Sequence, residues 1–241
     1  ESFSGLDARA DEVLLVCAGT AFKYAPQRDW VLAEIARRVP NSRLVFFRSR
    51  PEPMAEKLRE RKFQIDQEAL RKYFPARQSV EWLLDVASKL YGVKFEKAWV
   101  PTWHADVEYY DVTDAASGKR LSGFYLDLYP REGKYKHAAA WPVRGVSLKS
   151  ARTPISVLVC NLDRKGLTRD ELETLFHEFG HGLHGVLSQT QYNLHSGTSV
   201  EGDFVEAPSA IFEEWTRRYE SLKTLSARCA ECPPIDKALV D

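Results

Sequence analysis

Long apolar runs are missing from this 241-residue chain. No stretch approaches the ~18 residues of a membrane span, and the N-terminus lacks a basic-then-apolar signal pattern. Net charge is missing as well: Lys plus Arg and Asp plus Glu both number 34, so nothing in the balance asks for nucleic acid or an anionic membrane surface as a partner. There is neither an internal repeat nor a low-complexity tract. Methionine is nearly absent, with Met54 alone, and the chain opens on Glu1, so it reads as a piece of something longer. Together these absences give the expectation of a soluble, cytoplasmic protein without nucleic-acid or membrane partners.

Cysteine is scarce. Cys17 and Cys160 lie in apolar, strand-like runs and read as buried free thiols. Cys229 and Cys232 form one CxxC with no second pair, which argues against a structural zinc site, and they lack the strand-turn-helix context of a redox motif. The expectation is a flexible loop with two free thiols.

What is present is ordinary globular composition, 44% hydrophobic and 28% charged, enough for a sizeable core in one or two domains. Residues 11–50 read as strand-helix-strand: Val13 to Cys17 is a continuous apolar run, residues 30–39 suit a helix, and Leu44 to Phe47 gives a second strand. Gly19 stands alone, so there is no dinucleotide fingerprint and no cofactor-binding residue to name. Two prolines at Arg50-Pro51-Glu52-Pro53 break the chain. Beyond them, residues 54–73 read as a charged helix, and Ser79 to Leu90 as an amphipathic helix closed by Gly92. From Asp106 to Tyr129 the period is two, giving a hairpin around residues 115–119. A short edge strand is expected near Lys136 to Trp141, and another strand from Ile155 to Cys160. The expected domains are therefore residues 1–50 and 54–241.

The most informative stretch is LFHEFGHGLHG, residues 175–185. Thr168 and Glu171 read as a capping box, Leu172, Leu175, Phe176, Phe179 and Leu183 make a buried helical stripe, and Gly185 suits a left-handed cap. His177 and His181, four residues apart, then stack on one face, where two neutral imidazoles can share a zinc ion. Glu178 between them can reach a water on that ion, as in the HExxH pattern of zinc peptidases. Gly180 and Gly182 are unfavourable inside a helix, which implies a close approach to that backbone. His184 lies on the same flank, but three ligands from one straight helix cannot readily close a tetrahedral site. A catalytic zinc needs a third protein ligand, and Glu201, Asp203 and Glu206 are the carboxylates available. Phe204, Val205, Ile211, Phe212 and Trp215 suggest a second helix with Glu206 near its start. Asp203 and Glu206 equally fit a capping box, in which Glu206 would only fold back on the helix.

TLFHEFGHGLHG followed by HSGTSVEGDFVEAPSAIFEEW resembles the thimet oligopeptidase family, the group that includes oligopeptidase A and the peptidyl-dipeptidases. AEKLRERKFQID, SGFYLDLYPREGKYKHAAAWP and SVLVCNL resemble it too, so the likeness covers roughly residues 54–222. It implies an α+β protein with a mainly helical, zincin-like core and a small antiparallel sheet. It implies one zinc per chain held by His177, His181 and Glu206, with Glu178 as general base toward a zinc-activated water, acting on short peptide substrates. Asp203, Glu173 or Glu213 would orient the imidazoles. Members of that family carry, well downstream of DFVEAPS, a histidine- and tyrosine-containing segment resembling an oxyanion stabiliser, and this chain reaches Asp241 before one. The alternative is therefore a zinc-binding chain with weak or no hydrolysis. Residues 11–50 separately resemble part of the glycosyltransferases that include O-linked N-acetylglucosamine transferases, without a complete site.

Overall fold

The computed structural model describes residues 13–17, 42–46, 67–237 and 240, in two compact units, residues 1–65 and residues 66–241. In the first unit, β1 (Val13–Cys17) and β2 (Ser42–Phe46) pair in parallel. That is the pairing expected of two apolar strands joined by a crossover. The helix expected between them, the Cys17 thiol, the junction at 50–53 and the charged segment 54–66 lie outside the described residues.

The second unit opens with a short helix, α1 (Gln67–Leu70), and a 3₁₀ turn over Arg71–Tyr73. Helix α2 (Ala76–Tyr91) ends at Gly92, whose φ of +64° is the left-handed cap expected there. Five strands follow: β3 (Val93–Lys97), β4 (Glu108–Asp114), β5 (Arg120–Asp127), β6 (Ala139–Arg144) and β7 (Ile155–Val159), in the spatial order β3-β4-β5-β7-β6. The hairpin of β4 and β5 and strand β7 are where the sequence put them, and β6 lies about three residues later than the expected 136–141. The sheet is mixed, however, not antiparallel: β5 and β7 run parallel, Leu126 opposite Leu158. The long connection over 128–154 crosses to the far side of β7 and lays β6 there as an antiparallel edge. Pro142 is tolerated in β6 because an edge strand has N–H positions that need no partner.

Helix α3 (Arg169–Val186) starts at Thr168 with both halves of the capping box formed. Its stripe, Leu172, Leu175, Phe176, Phe179 and Leu183, is fully buried. Phe179 meets Phe124 of β5 edge-on at 5.3 Å, and Phe176 meets Trp82 of α2 at 4.7 Å. Each such side chain contributes about 1.5–3 kcal/mol by leaving water, so this stripe fixes α3 between the sheet and the other helices. Gly185 is not a left-handed cap. The helix runs through it to Val186, and a Cβ at 185 would lie 2.5 Å from Ser156 Oγ of β7, so the glycine serves close packing against the sheet.

Helix α4 (Ala207–Arg217) departs from the expected apolar face. Phe204 and Val205 precede the helix, and Phe204 and Ile211 are 55% and 64% exposed. The buried face is Ser209, Phe212 and Thr216, a spacing of three and four with two small polar residues. They let α4 approach α3 closely: a Cβ on Gly180 would lie 2.7 Å from Ser209 Cα and 3.0 Å from Pro208 O. Helix α5 (Tyr219–Ser226) follows, with Thr224 accepting the Trp82 indole N–H at 2.8 Å. Cys229 and Cys232 are disulfide-bonded, contrary to the free thiols expected. The turn in which the Cys232 N–H donates to Cys229 O holds the two Cα atoms 5.2 Å apart, within bridging range. Cys160 is a buried free thiol, as expected.

One buried charge cluster secures the chain between β5 and β6. Asp127 accepts from Arg131 at 2.6 and 2.8 Å and from the Trp103 indole at 2.9 Å, and Lys134 Nζ lies 2.9 Å away. Burial alone would raise the Asp127 pKa, but Arg131, Trp103 and Lys134 outweigh it and hold the carboxyl well below the ordinary value.

Two outcomes follow. Gly180→Ala gains about 1 kcal/mol of helix propensity but meets the backbone of α4, an overpacking cost of about 1–3 kcal/mol, so its urea midpoint should fall where an ordinary helical glycine would give a rise. Asp127→Asn leaves Lys134 and Arg131 without their charge partner and should cost about 3 kcal/mol or more at pH 7. Because the folded pKa of Asp127 is depressed, its contribution is complete above the unfolded value near 4 and is lost as pH falls toward the folded one. The gap between variant and unaltered chain should narrow in acid, measured by denaturant titration at several pH values.

Candidate metal centre

The helical repeat of α3 brings His177 and His181 onto one face, with ring centroids 4.9 Å apart and planes 82° from each other. The carboxylate facing them comes from the start of α4. Glu206 itself occupies the N-cap position, so the helix does not start at Asp203 and Glu206 is not three residues into it, as the capping box weighed against the ligand role requires. Its Oε2 lies 3.2 Å from His177 Nε2 and 3.1 Å from His181 Nε2, and accepts from Ser209 Oγ at 3.2 Å. Of the three candidate carboxylates, Glu201 and Asp203 are exposed and only Glu206 joins the histidines.

The donor atoms of His177, His181 and Glu206 all lie within 4.8 Å of one another. Ligands about 2.05 Å from a tetrahedral ion stand about 3.3 Å apart, so Nε2 to Oε2 spacings of 3.1 and 3.2 Å fit a shared metal ion with two imidazoles and one carboxylate. The His177 ring is oriented from behind, where Nδ1 donates to Glu213 Oε1 at 2.5 Å. An ionised carboxylate only accepts, so the proton sits on Nδ1 and the Nε2 lone pair faces Glu206. Of the three residues offered for this orienting task, Glu213 is the one in contact with His177, while Glu173 is engaged by Arg217 and Asp203 is exposed. His181 Nδ1 is buried with no partner among the described residues. His184, one turn on, stands outside the cluster, edge-on to Phe204. Burial, and then the neighbouring His181, hold its pKa below the ordinary value.

Glu178 points to the sheet side. Its Oε2 accepts the Ala140 N–H of edge strand β6 at 3.1 Å. Beside it a small hollow is lined by Ala140, Trp141, Arg144, His181, Ser196 and Gly197. The role of Ala140 is invisible to motif reading, because its backbone contributes and its side chain does not. Arg217 was also passed over, although its spacing of four from Glu213 is a helical-pair signal. No described helix is long and apolar enough to cross a membrane.

Comparison with known proteins agrees with these elements. The model of peptidase family M3 matches residues 54–241. A thimet-like oligopeptidase of Dictyostelium discoideum is 40% identical over 165 residues, which is 64% of this chain and 24% of that protein. Oligopeptidase A of Escherichia coli (strain K12) is 37% identical over 198 residues, 78% of this chain and 29% of its own length. A mitochondrial intermediate peptidase of Arabidopsis thaliana is 35% identical over 189 residues, 73% and 27%. The chain spans about a quarter of the length of these relatives. Residues 11–50 fall outside the family match, which lends no support to their glycosyltransferase-like resemblance. The matched span contains both helices that bring His177, His181 and Glu206 together, and on that match the chain belongs to peptidase family M3.

Proposed function

We propose that this chain is the zincin-like catalytic core of a zinc-dependent metallopeptidase acting on short oligopeptides. The observation that carries this reading is the convergence of His177, His181 and Glu206 with Glu178 beside them on the same helix. Two imidazoles and a carboxylate suit zinc among the divalent ions, and three protein ligands leave a fourth position open. When bound there, zinc would lower the pKa of a water to about 7 and polarise a peptide carbonyl.

The rest of the chemistry belongs to the protein. Glu178 takes the proton of the attacking water and returns it to the leaving amine. Its Oε2 accepts the Ala140 N–H, which favours this orientation of the carboxylate, and its other oxygen has no protein partner among the described residues. Glu213 keeps His177 in the Nδ1–H tautomer that leaves Nε2 free to ligate. An extended peptide would pair with the outer edge of β6, the strand that already touches Glu178 and lines the hollow next to His181. A cytoplasmic location is part of this proposal, as are peptide partners; relatives carry mitochondrial names as well.

The chain should carry about one zinc after metal loading and dialysis, and Glu206→Ala, like His177→Ala and His181→Ala, should carry almost none. Full retention of zinc in Glu206→Ala, read by elemental analysis, would remove Glu206 from the ligand set. Glu178→Gln should keep the metal and lose about 10²- to 10⁴-fold in turnover of a quenched fluorescent peptide. Turnover equal to the unaltered chain would exclude Glu178 as the base. A chain that binds zinc and hydrolyses nothing would favour the alternative of a metal-binding core without activity of its own.

A further inference from the structure

Arg217, in the last turn of α4, joins carboxylates on two helices. Its Nη2 donates to Glu173 Oε1 at 2.7 Å and to Glu213 Oε2 at 2.6 Å, and its Nε donates to Glu173 Oε2 at 3.2 Å. The other oxygen of Glu213 takes the Nδ1–H of His177. Glu173 and His177 are four residues apart on α3, and Glu213 and Arg217 are four apart on α4, so the four side chains line the seam between two packed helices, linked in the order Glu173, Arg217, Glu213, His177. Glu213 sits inside it at 16% side-chain exposure, and Arg217 closes it toward solvent at 42%. A carboxylate on a flexible side chain would sample several rotamers. Here one oxygen is fixed by the guanidinium and the other is thereby aimed at the imidazole.

We propose that Arg217 is a positioning residue of the metal centre: anchored to α3 through Glu173, it holds Glu213 in place and so fixes the tautomer and orientation of His177. The proposal rests on the reading of His177 as a metal ligand. It is separable from a simple charge effect because the two predict opposite signs. Arg217 is a cation near a site for a dication, so by Coulomb repulsion alone its removal should tighten metal binding. If its task is to position Glu213, removal should weaken binding, because outer partners of a ligating histidine set metal affinity by about 10- to 100-fold.

The test uses the full chain, with zinc affinity read by chelator competition and the visible spectrum of the cobalt(II)-loaded protein read for ligand geometry. Arg217→Gln should bind zinc about tenfold more weakly, at the low end of that range because Arg217 acts through Glu213. Its cobalt spectrum should change, while its thermal midpoint stays close to that of the unaltered chain. Arg217→Lys keeps the charge without the two-pronged contact and should fall between the two. Glu173→Gln removes the anchor on α3 and should also weaken binding, whereas Glu214→Gln, the same charge change at a carboxylate that meets Arg217 only through Nη1 at 3.3 Å, should not. Affinity in Arg217→Gln equal to or tighter than the unaltered chain would overturn the proposal, and so would equal losses in Glu173→Gln and Glu214→Gln. If Arg217→Gln folds poorly, unchanged affinity in both Arg217→Lys and Glu173→Gln overturns it. Zinc binding that depends on Glu206 but not on Arg217 would sink this inference alone; no zinc binding by the unaltered chain would sink it together with the proposed function.

Discussion

The site depends on how closely two helices can approach each other. Helix α3 supplies two imidazoles from its own repeat, but the third donor must come from another element and reach within about 3 Å of both. That is possible because the α3 backbone at Gly180 lies against the α4 backbone at Ser209, with no side chain between them. Ordinary helix packing leaves 8–10 Å between axes, filled by side chains. Here Ser209 and Thr216 are the buried residues of α4 beside Phe212, and their small size serves the same close contact. Glu206, three residues before Ser209, is carried in by that contact, and the Ser209 hydroxyl then holds both its main-chain and its side-chain oxygen.

The other side of α3 is set by the sheet. Gly185 lets the helix lie against Ser156 of β7, and β6, the strand beyond β7, is then near enough for its Ala140 N–H to hold Glu178. One strand thus orients the carboxylate and presents the free edge along which a peptide could lie. The Asp127 cluster belongs to the same arrangement. Lys134 donates to the main-chain oxygens of Asp127, Tyr129 and Cys160 and so ties the path from β5 toward β6 to the end of β7.

How much of this the sequence disclosed follows from how local each determinant is. The start and buried face of helix α3 were legible because its cap, Thr168 with Glu171, and its stripe from Leu172 to Leu183 lie within a few turns of one another. Only its end was misread, since a glycine near a helix terminus is compatible both with a left-handed cap and with close packing, and the choice lies in Ser156, far away in sequence. Glu206 was ambiguous for the same reason: a carboxylate where a helix begins can cap it or leave it, and the histidines it meets are 25 and 29 residues earlier. The apolar face assigned to α4 held at Phe212 and Trp215 but failed at Phe204, which precedes the helix, and at Ile211, which is exposed, while Ser209 and Thr216 fill the buried face. Strand β3 escaped notice because Lys94, Glu96 and Lys97 dominate it and only Val93 is buried. The parallel pairing of β5 with β7 depends on a crossover of about two dozen residues whose path no local pattern records.

The charge pattern gives the last step. Glu206 Oε2 faces two imidazole nitrogens, and the His177 Nδ1–H is already engaged by Glu213 on the far side, so the His177 Nε2 lone pair and the carboxylate point at each other across 3.2 Å. A dication would serve all three donors at once, two imidazoles and one carboxylate. Arg217 is the basic group held by Glu213, and it faces away from the histidines toward Glu173. Under the proposed function a metal ion would be the cation that meets all three of these donors together.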